Sequence, residues 1–180
     1  FGLSNLQPQF SWNSTWLNLS STFYLPVIKI KGTQLLNSVL YFLILGLFLN
    51  KIFIKKKKDT FSTFIIYSLL FYIIVKFTRI SEHGFDFPAN LFLLLSFYYF
   101  VELFETNFKF PEKKLILILL FSLFSLTIKL STIPVILILI VVFYFLLLKK
   151  YNFKHLSKSI FISFLFIFFW LTQQYIYSAC

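Results

Sequence analysis

Long runs of Phe, Leu and Ile alternate with short lysine-bearing breaks along this chain, and the runs fall at 34–50, 60–77, 88–104, 115–128, 133–148 and 159–172. A helix crossing the hydrocarbon core of a bilayer takes roughly 20 residues, with a range of about 17–25. The first three runs approach that length and the later ones are shorter. The stretch from Leu115 to Leu148 raises a question of its own. As one helix rising 1.5 Å per residue it would be about 50 Å long, far more than a bilayer. The sequence TIKLSTIP at 127–134 interrupts it, because Lys129 is charged and Pro134 disfavours helix at Ile133. The pattern predicts a tight hairpin with Lys129 near its tip, built of two short helices that need a thinned bilayer or protein neighbours. One long helix projecting beyond the membrane is the alternative.

Composition decides the solvent. Hydrophobic residues make up 59% of the 180 and charged residues 13%, with 28 Phe, and the mean hydropathy is +0.84. A soluble domain carries about 25% charged residues, so this chain has too little polarity to coat a water-facing surface. The expected fold is all-α and integral to a membrane, with about six transmembrane or partly spanning helices. Residues 1–33 are expected to form an outer-face loop with an interfacial helix, since Trp12, Trp16, Phe23 and Tyr24 interleave with Asn, Ser and Thr. Residues 34–180 form the polytopic helical domain. The chain opens at Phe1, contains no Met and closes on YIYSAC. It reads as an internal fragment of a larger polytopic protein, whose missing helices would be among its partners.

A net charge of +11 would suggest nucleic acid in a soluble protein. Here the lysines sit between apolar runs, the way membrane topology is encoded, and no nucleic-acid partner is expected. Five lysines lie in 50–59, three in 108–114 and four in 149–158; the alternating breaks hold Lys29, Lys31, Arg79 and Lys129. That bias puts the lysine-rich loops in the cytoplasm and residues 78–88, the Lys129 turn and the N-terminal stretch on the opposite face. The single Cys180 excludes an internal disulfide, and no Cys/His spacing suits zinc.

One stretch concentrates the titratable chemistry. RISEHGFDFPAN, residues 79–90, holds Arg79, Glu82, His83 and Asp86. Gly84 breaks helix and Pro88 suits the first turn of the next one, so Asp86 is expected near the start of a helix. The bland reading makes Asp86 a cap, Arg79 an anchor at lipid headgroups, and Glu82 and His83 solvated groups. The functional reading notes that ionisable groups beside hydrocarbon are costly and tend to serve chemistry. A carboxylate with an imidazole is a general base or metal ligand, and Arg79 with Lys129 can hold an anionic head group between them. Glu102, near the cytoplasmic end of the third run, is read as a buried pairing or a solvated helix end.

Four stretches resemble, in order, the bacterial polytopic proteins related to the GT-C glycosyltransferases. They are Gly2, Leu3, Asn5, Leu6, Trp12, Asn13, Ser14 and Trp16; then Gly84, Asp86 and Pro88; then Lys129, Leu130, Ser131, Ile133 and Pro134; and finally WLTQQYIYSAC at 170–180. The resemblance implies a multi-helix membrane domain in the bacterial inner membrane, with its active site at the outer face and polyprenyl-phosphate-linked sugars as substrate. On it, Asp86, aided by Glu82 or His83, activates the acceptor hydroxyl or orients a metal. Arg79 and Lys129 neutralise the leaving phosphate, while Trp12, Asn13 and Trp16 contact sugar or lipid. Such enzymes carry an acidic residue in their first outer loop; residues 1–33 have no Asp or Glu, so that carboxylate is expected upstream of Phe1. No metal ligand set is assigned, and a divalent cation is left open as cofactor. The rival readings are a polymerase or ligase of lipid-linked polysaccharide, which would show two arginine-rich outer loops, a transporter, or a membrane scaffold without chemistry.

Overall fold

The computed structural model describes residues 14–24, 26, 30–54, 61–77, 86–106, 111–148 and 157–179. Among these the protein is all-helical, with no strand. The elements are α1 (Thr15–Ser21), α2 (Ile30–Ile54), α3 (Phe61–Val75), α4 (Asp86–Glu105), α5 (Pro111–Ile128), a 3₁₀ turn (Leu130–Thr132), α6 (Val135–Leu148) and α7 (Ser157–Ala179).

The helix limits follow local chemistry. Asp86 opens α4 with a carboxylate at the positive end of the helix dipole, and Pro88 stands in the first turn as expected. Pro111 opens α5, where its missing N–H would have had no intrahelical partner. At the other end of α5 the chain leaves helix at Lys129, whose φ of −149° and ψ of 125° are extended. The 3₁₀ turn follows, and Pro134 immediately precedes α6. The stretch 115–148 is therefore a hairpin with Lys129 at its bend, not a single rod. Several helices run past their apolar segments: α2 reaches Ile54 and α5 begins four residues before Leu115. Hydropathy marks the apolar part of a helix, whereas residues such as Lys51 and Lys114 continue it comfortably.

Three helical stretches among the described residues are long and apolar enough to cross a membrane: Gln34–Phe53, Asp86–Glu105 and Leu130–Leu148. They differ in surroundings. In the most apolar 18-residue window of the α4 stretch 61% of the residues are buried, against 22% in the corresponding window of each of the other two, so α4 is the central helix. The broadest interface in the bundle joins α4 to α5. Small residues line it: Ser96 and Ser122 are fully buried with their hydroxyls 2.7 Å apart, and the Ser125 hydroxyl donates to the Ala89 carbonyl at 3.0 Å. Short side chains let the two backbones approach, and each hydroxyl finds an acceptor inside the seam. Around it the aromatic rings interlock, with Phe121 stacked between Phe92 at 5.7 Å and Tyr99 at 5.9 Å. Phe124 stacks on Phe166 at 5.2 Å and so brings α7 against α5.

The outer surface is the reverse of a soluble protein's. Phe53, Leu43, Phe71, Leu137, Phe164 and Tyr175 are all exposed, Phe53 at 79%. Apolar faces of this extent are rare on monomers in water.

Successive helices alternate in direction, so the bundle has two distinct ends. Lys129 meets Asp86 at one end. At the other, Lys51 meets Glu102 and the Ser62 N–H meets Glu105.

Candidate functional site

The end that gathers the sequence candidates is built by the starts of α4 and α6, the close of α5 and the short helix α1. Lys129 Nζ lies 2.6 Å from Asp86 Oδ1, a charge-assisted hydrogen bond between residues 43 positions apart. Asp86 is held there by the first turn of α4 and Lys129 by the bend after Ile128. The carboxylate is mostly exposed and the ammonium about one-third exposed. An exposed pair of this kind contributes ~0–1 kcal/mol to stability, and Asp86 also gains from the α4 dipole. Two of the proposed site residues are thus brought into direct contact. Glu82, His83, Arg79, Trp12 and Asn13 lie outside the described residues.

Trp16 is placed differently from a surface ring that greets sugar or lipid. It is 4% exposed, its indole edge meets Phe92 at 6.1 Å, and its Nε1–H donates to Asn37 Oδ1 at 2.8 Å. The apolar ring is worth more against Phe92 than at the surface, and Asn37 satisfies its one polar atom. Nearby, the Thr15 hydroxyl donates to the Thr127 carbonyl at 3.3 Å, two residues from Lys129. The short helix is therefore docked into the Asp86–Lys129 end and helps fix the bend that carries the lysine. Ser14 Oγ and Asn18 Nδ2 are buried here without hydrogen-bond partners.

The opposite end holds a second polar cluster that the sequence marked only as a paired or solvated Glu102. Glu102 is flanked by two lysines: Lys51 Nζ lies 3.6 Å from Oε2, and Lys114 Nζ lies 3.9 Å from Oε1. Lys51 also donates to the Tyr98 hydroxyl at 2.8 Å and sits over the Tyr98 and Tyr99 rings at 4.2 and 4.7 Å. Lys114 donates to the Glu102 carbonyl and the Thr106 hydroxyl, each at 3.2 Å. One turn further on, Glu105 Oε1 accepts the Ser62 N–H at 2.7 Å, so a carboxylate from α4 serves an otherwise unpaired amide at the start of α3. The paired reading of Glu102 holds. Three helices are clasped to the end of α4, and the signal in the sequence was an acidic residue inside an apolar run.

Among the described residues no three His, Cys, Asp or Glu side chains gather in a group that could hold a metal ion. The chemistry on view is that of paired single charges: a carboxylate able to take a proton and an ammonium able to hold an anion.

No curated protein and no solved structure matches the chain. One family does, and it covers residues 1–180, the full length given: the chain belongs to the family described as Domain of unknown function (DUF8201).

Proposed function

We propose that the chain is a membrane-embedded helical bundle from a multi-pass protein of a bacterial inner membrane, with its lysine-rich end in the cytoplasm. Its Asp86–Lys129 end, on the outer face, acts on a sugar carried by polyprenyl phosphate. Support for the membrane comes from the three long apolar stretches and the exposed Phe and Leu faces. The observation that carries the site is the contact between Asp86 and Lys129 at 2.6 Å, at the end of the bundle away from Lys51 and Lys114.

The reaction uses what the pair can supply. The acceptor hydroxyl oxygen attacks the anomeric carbon as the bond from that carbon to the phosphate oxygen breaks, and the bonding electrons leave with polyprenyl phosphate. Asp86 takes the hydroxyl proton as general base. Lys129 holds the phosphate, where negative charge grows in the transition state. For both roles the ammonium exchanges its carboxylate partner for the phosphate, and that exchange frees the Asp86 oxygen to accept a proton. The pair as it stands also favours a second reading, in which it simply staples the start of α4 to the bend after α5.

The test uses the full-length protein in vesicles with a radiolabelled polyprenyl-phosphate sugar. Asp86→Asn and Lys129→Ala are expected to lower transfer by about 10²–10⁴-fold while the protein stays folded in the membrane. Transfer that survives both substitutions, or is absent from the unaltered protein, would leave the staple as the reading of the pair.

A further inference from the structure

Two charged clusters bracket the bundle, and each ties helices together at one level. At one end Asp86 of α4 meets Lys129 at the close of α5. At the other, Glu102 of α4 meets Lys51 of α2 and Lys114 of α5, while Glu105 holds the first turn of α3 through the Ser62 N–H. The height between these levels follows from the helix rise of about 1.5 Å per residue. It is about 24 Å from Asp86 to Glu102 along α4, and about 22 Å from Lys114 to Lys129 along α5. On α3 the climb from Ser62 to Lys76 is about 21 Å. Two helices pinned to each other at both ends thus give one height, and a third agrees with it. A typical hydrocarbon core is about 30 Å thick, and any tilt of the helices shortens the height they span.

The clusters neither hide inside the protein nor stretch toward water. The side chains of Lys51, Glu102 and Lys114 keep 25%, 17% and 19% of their exposure, so these charges border whatever surrounds the bundle. Charge that borders hydrocarbon is costly. A lysine flanking a short span ordinarily snorkels to the interface. Here Lys51 is engaged by Glu102 and the Tyr98 hydroxyl, Lys114 by Glu102 and Thr106, and Lys129 by Asp86. Between the two levels large apolar side chains face outward, Phe64, Phe71 and Ile74 on α3 and Leu137 and Ile140 on α6.

We infer that the bundle draws the two leaflets together around itself and takes lipids with short acyl chains as its boundary. The inference rests on the membrane reading above, and it extends to the whole bundle what the short helices of the hairpin require. A span shorter than the bilayer is met by thinning, by snorkelling or by association with other spans. The ion pairs occupy the lysines that would snorkel, which leaves thinning as the response of a single copy. Its consequence for the outer end is chemical. Lipid phosphates that would stand several ångströms above Asp86 and Lys129 are lowered to their level, where Lys129 can hold one.

The experiment places the full-length protein in vesicles of equal parts dimyristoleoyl- and dioleoyl-phosphatidylcholine, with one of the two brominated and then the other. Quenching of tryptophan fluorescence reads which lipid lies against the protein. The short-chain lipid is expected to be enriched there at least about twofold, in keeping with a modest cost per ångström of mismatch. Lys51→Leu, Glu102→Leu and Lys114→Leu together carry the apolar belt of α4 on to Glu105, about 28 Å from Asp86, and are expected to abolish the enrichment. Lys76→Leu lengthens the face of α3 alone, disturbs less, and is expected to reduce it. Equal occupancy of the two lipids around the unaltered protein, or enrichment of the longer one, overturns the inference. Enrichment unchanged in both variants does the same. Energy transfer between differently labelled copies is read in the same vesicles. Copies that cluster without enriching the short lipid show that protein neighbours meet the mismatch, which also overturns it. A chain that enters vesicles of neither lipid defeats the membrane reading itself, a result distinct from the others.

Discussion

Trp16 and Asn37, 21 positions apart, meet at 2.8 Å with the indole N–H donating to the amide oxygen, and this bond locks α1 onto α2. Both residues are buried, so the bond sits where an unmade partner is expensive. Trp16→Phe keeps most of the ring and removes the donor. It is expected to cost about 1–2 kcal/mol in thermal or denaturant unfolding of the detergent-solubilised protein. Adding Asn37→Leu to that variant should recover part of the loss, and strictly additive costs would show that the bond carries no coupling energy.

The seam between α4 and α5 depends on small residues. Ser96→Leu places a branched side chain where two backbones meet and is expected to destabilise by about 1–3 kcal/mol. Ser96→Ala with Ser122→Ala removes both hydroxyls together and keeps the space. That double variant should stay within about 1 kcal/mol of the parent, since hydrogen bonds between membrane helices average ~0.6 kcal/mol. Unfolding in a detergent titration measures both.

Glu102 answers to two lysines, so its removal leaves two ammonium groups short of one anion. Glu102→Gln is expected to cost on the order of 2 kcal/mol, below the 3–5 kcal/mol of a fully buried pair because these side chains keep some exposure. Glu102→Gln combined with Lys51→Met should be milder than Glu102→Gln alone. If the double variant is the less stable of the two, the charge argument is wrong and the packing of Lys51 on Tyr98 and Tyr99 dominates.

Reversing the Asp86–Lys129 pair separates its two readings. The double variant Asp86→Lys with Lys129→Asp keeps opposite charges within reach and should lie within about 1 kcal/mol of the parent in stability, with a small penalty for a cation at the α4 N-terminus. Sugar transfer in vesicles should fall to background, because the base and the phosphate-holding group have exchanged places.

Topology is checked by cysteine labelling in a background of Cys180→Ser. Ser131 lies in the exposed 3₁₀ turn and Ser157 at the exposed start of α7. With a membrane-impermeant thiol reagent on intact cells, Ser131→Cys should label and Ser157→Cys should label only after permeabilisation. The opposite pattern would invert the bundle and remove the outer-face reading of Asp86 and Lys129.

Much of this architecture was legible because its signals are local. A charge and a proline within eight residues marked the hairpin bend, and both Lys129 and Pro134 do there what their chemistry requires. The alternation of lysine-rich and lysine-poor breaks puts Asp86 and Lys129 at the same end of their helices, and in the structure they meet there at 2.6 Å. The missed parts depend on which helix faces which. Nothing along the chain told Trp16 that an Asn37 carbonyl and a Phe92 ring awaited it, so an interfacial ring was the natural expectation. Nor could spacing reveal that Glu102 draws a lysine from each of two other helices. Helices that are apolar all round carry no stripe to name their inward side.

The polar contacts along α4 and the hairpin that follows it have an order. Lys114 reaches Glu102 across 12 residues, Ser122 reaches Ser96 across 26, Ser125 reaches Ala89 across 36, and Lys129 reaches Asp86 across 43. Closing each wider loop is cheap once the narrower one is shut, because only the added residues have to be ordered. On that ordering of costs the two helices can zip from the Glu102 clasp toward the other end, with the Asp86–Lys129 contact closing the widest loop. Whatever chemistry that pair performs thus sits at the far end of the α4–α5 seam, beyond the other polar contacts that join the two helices.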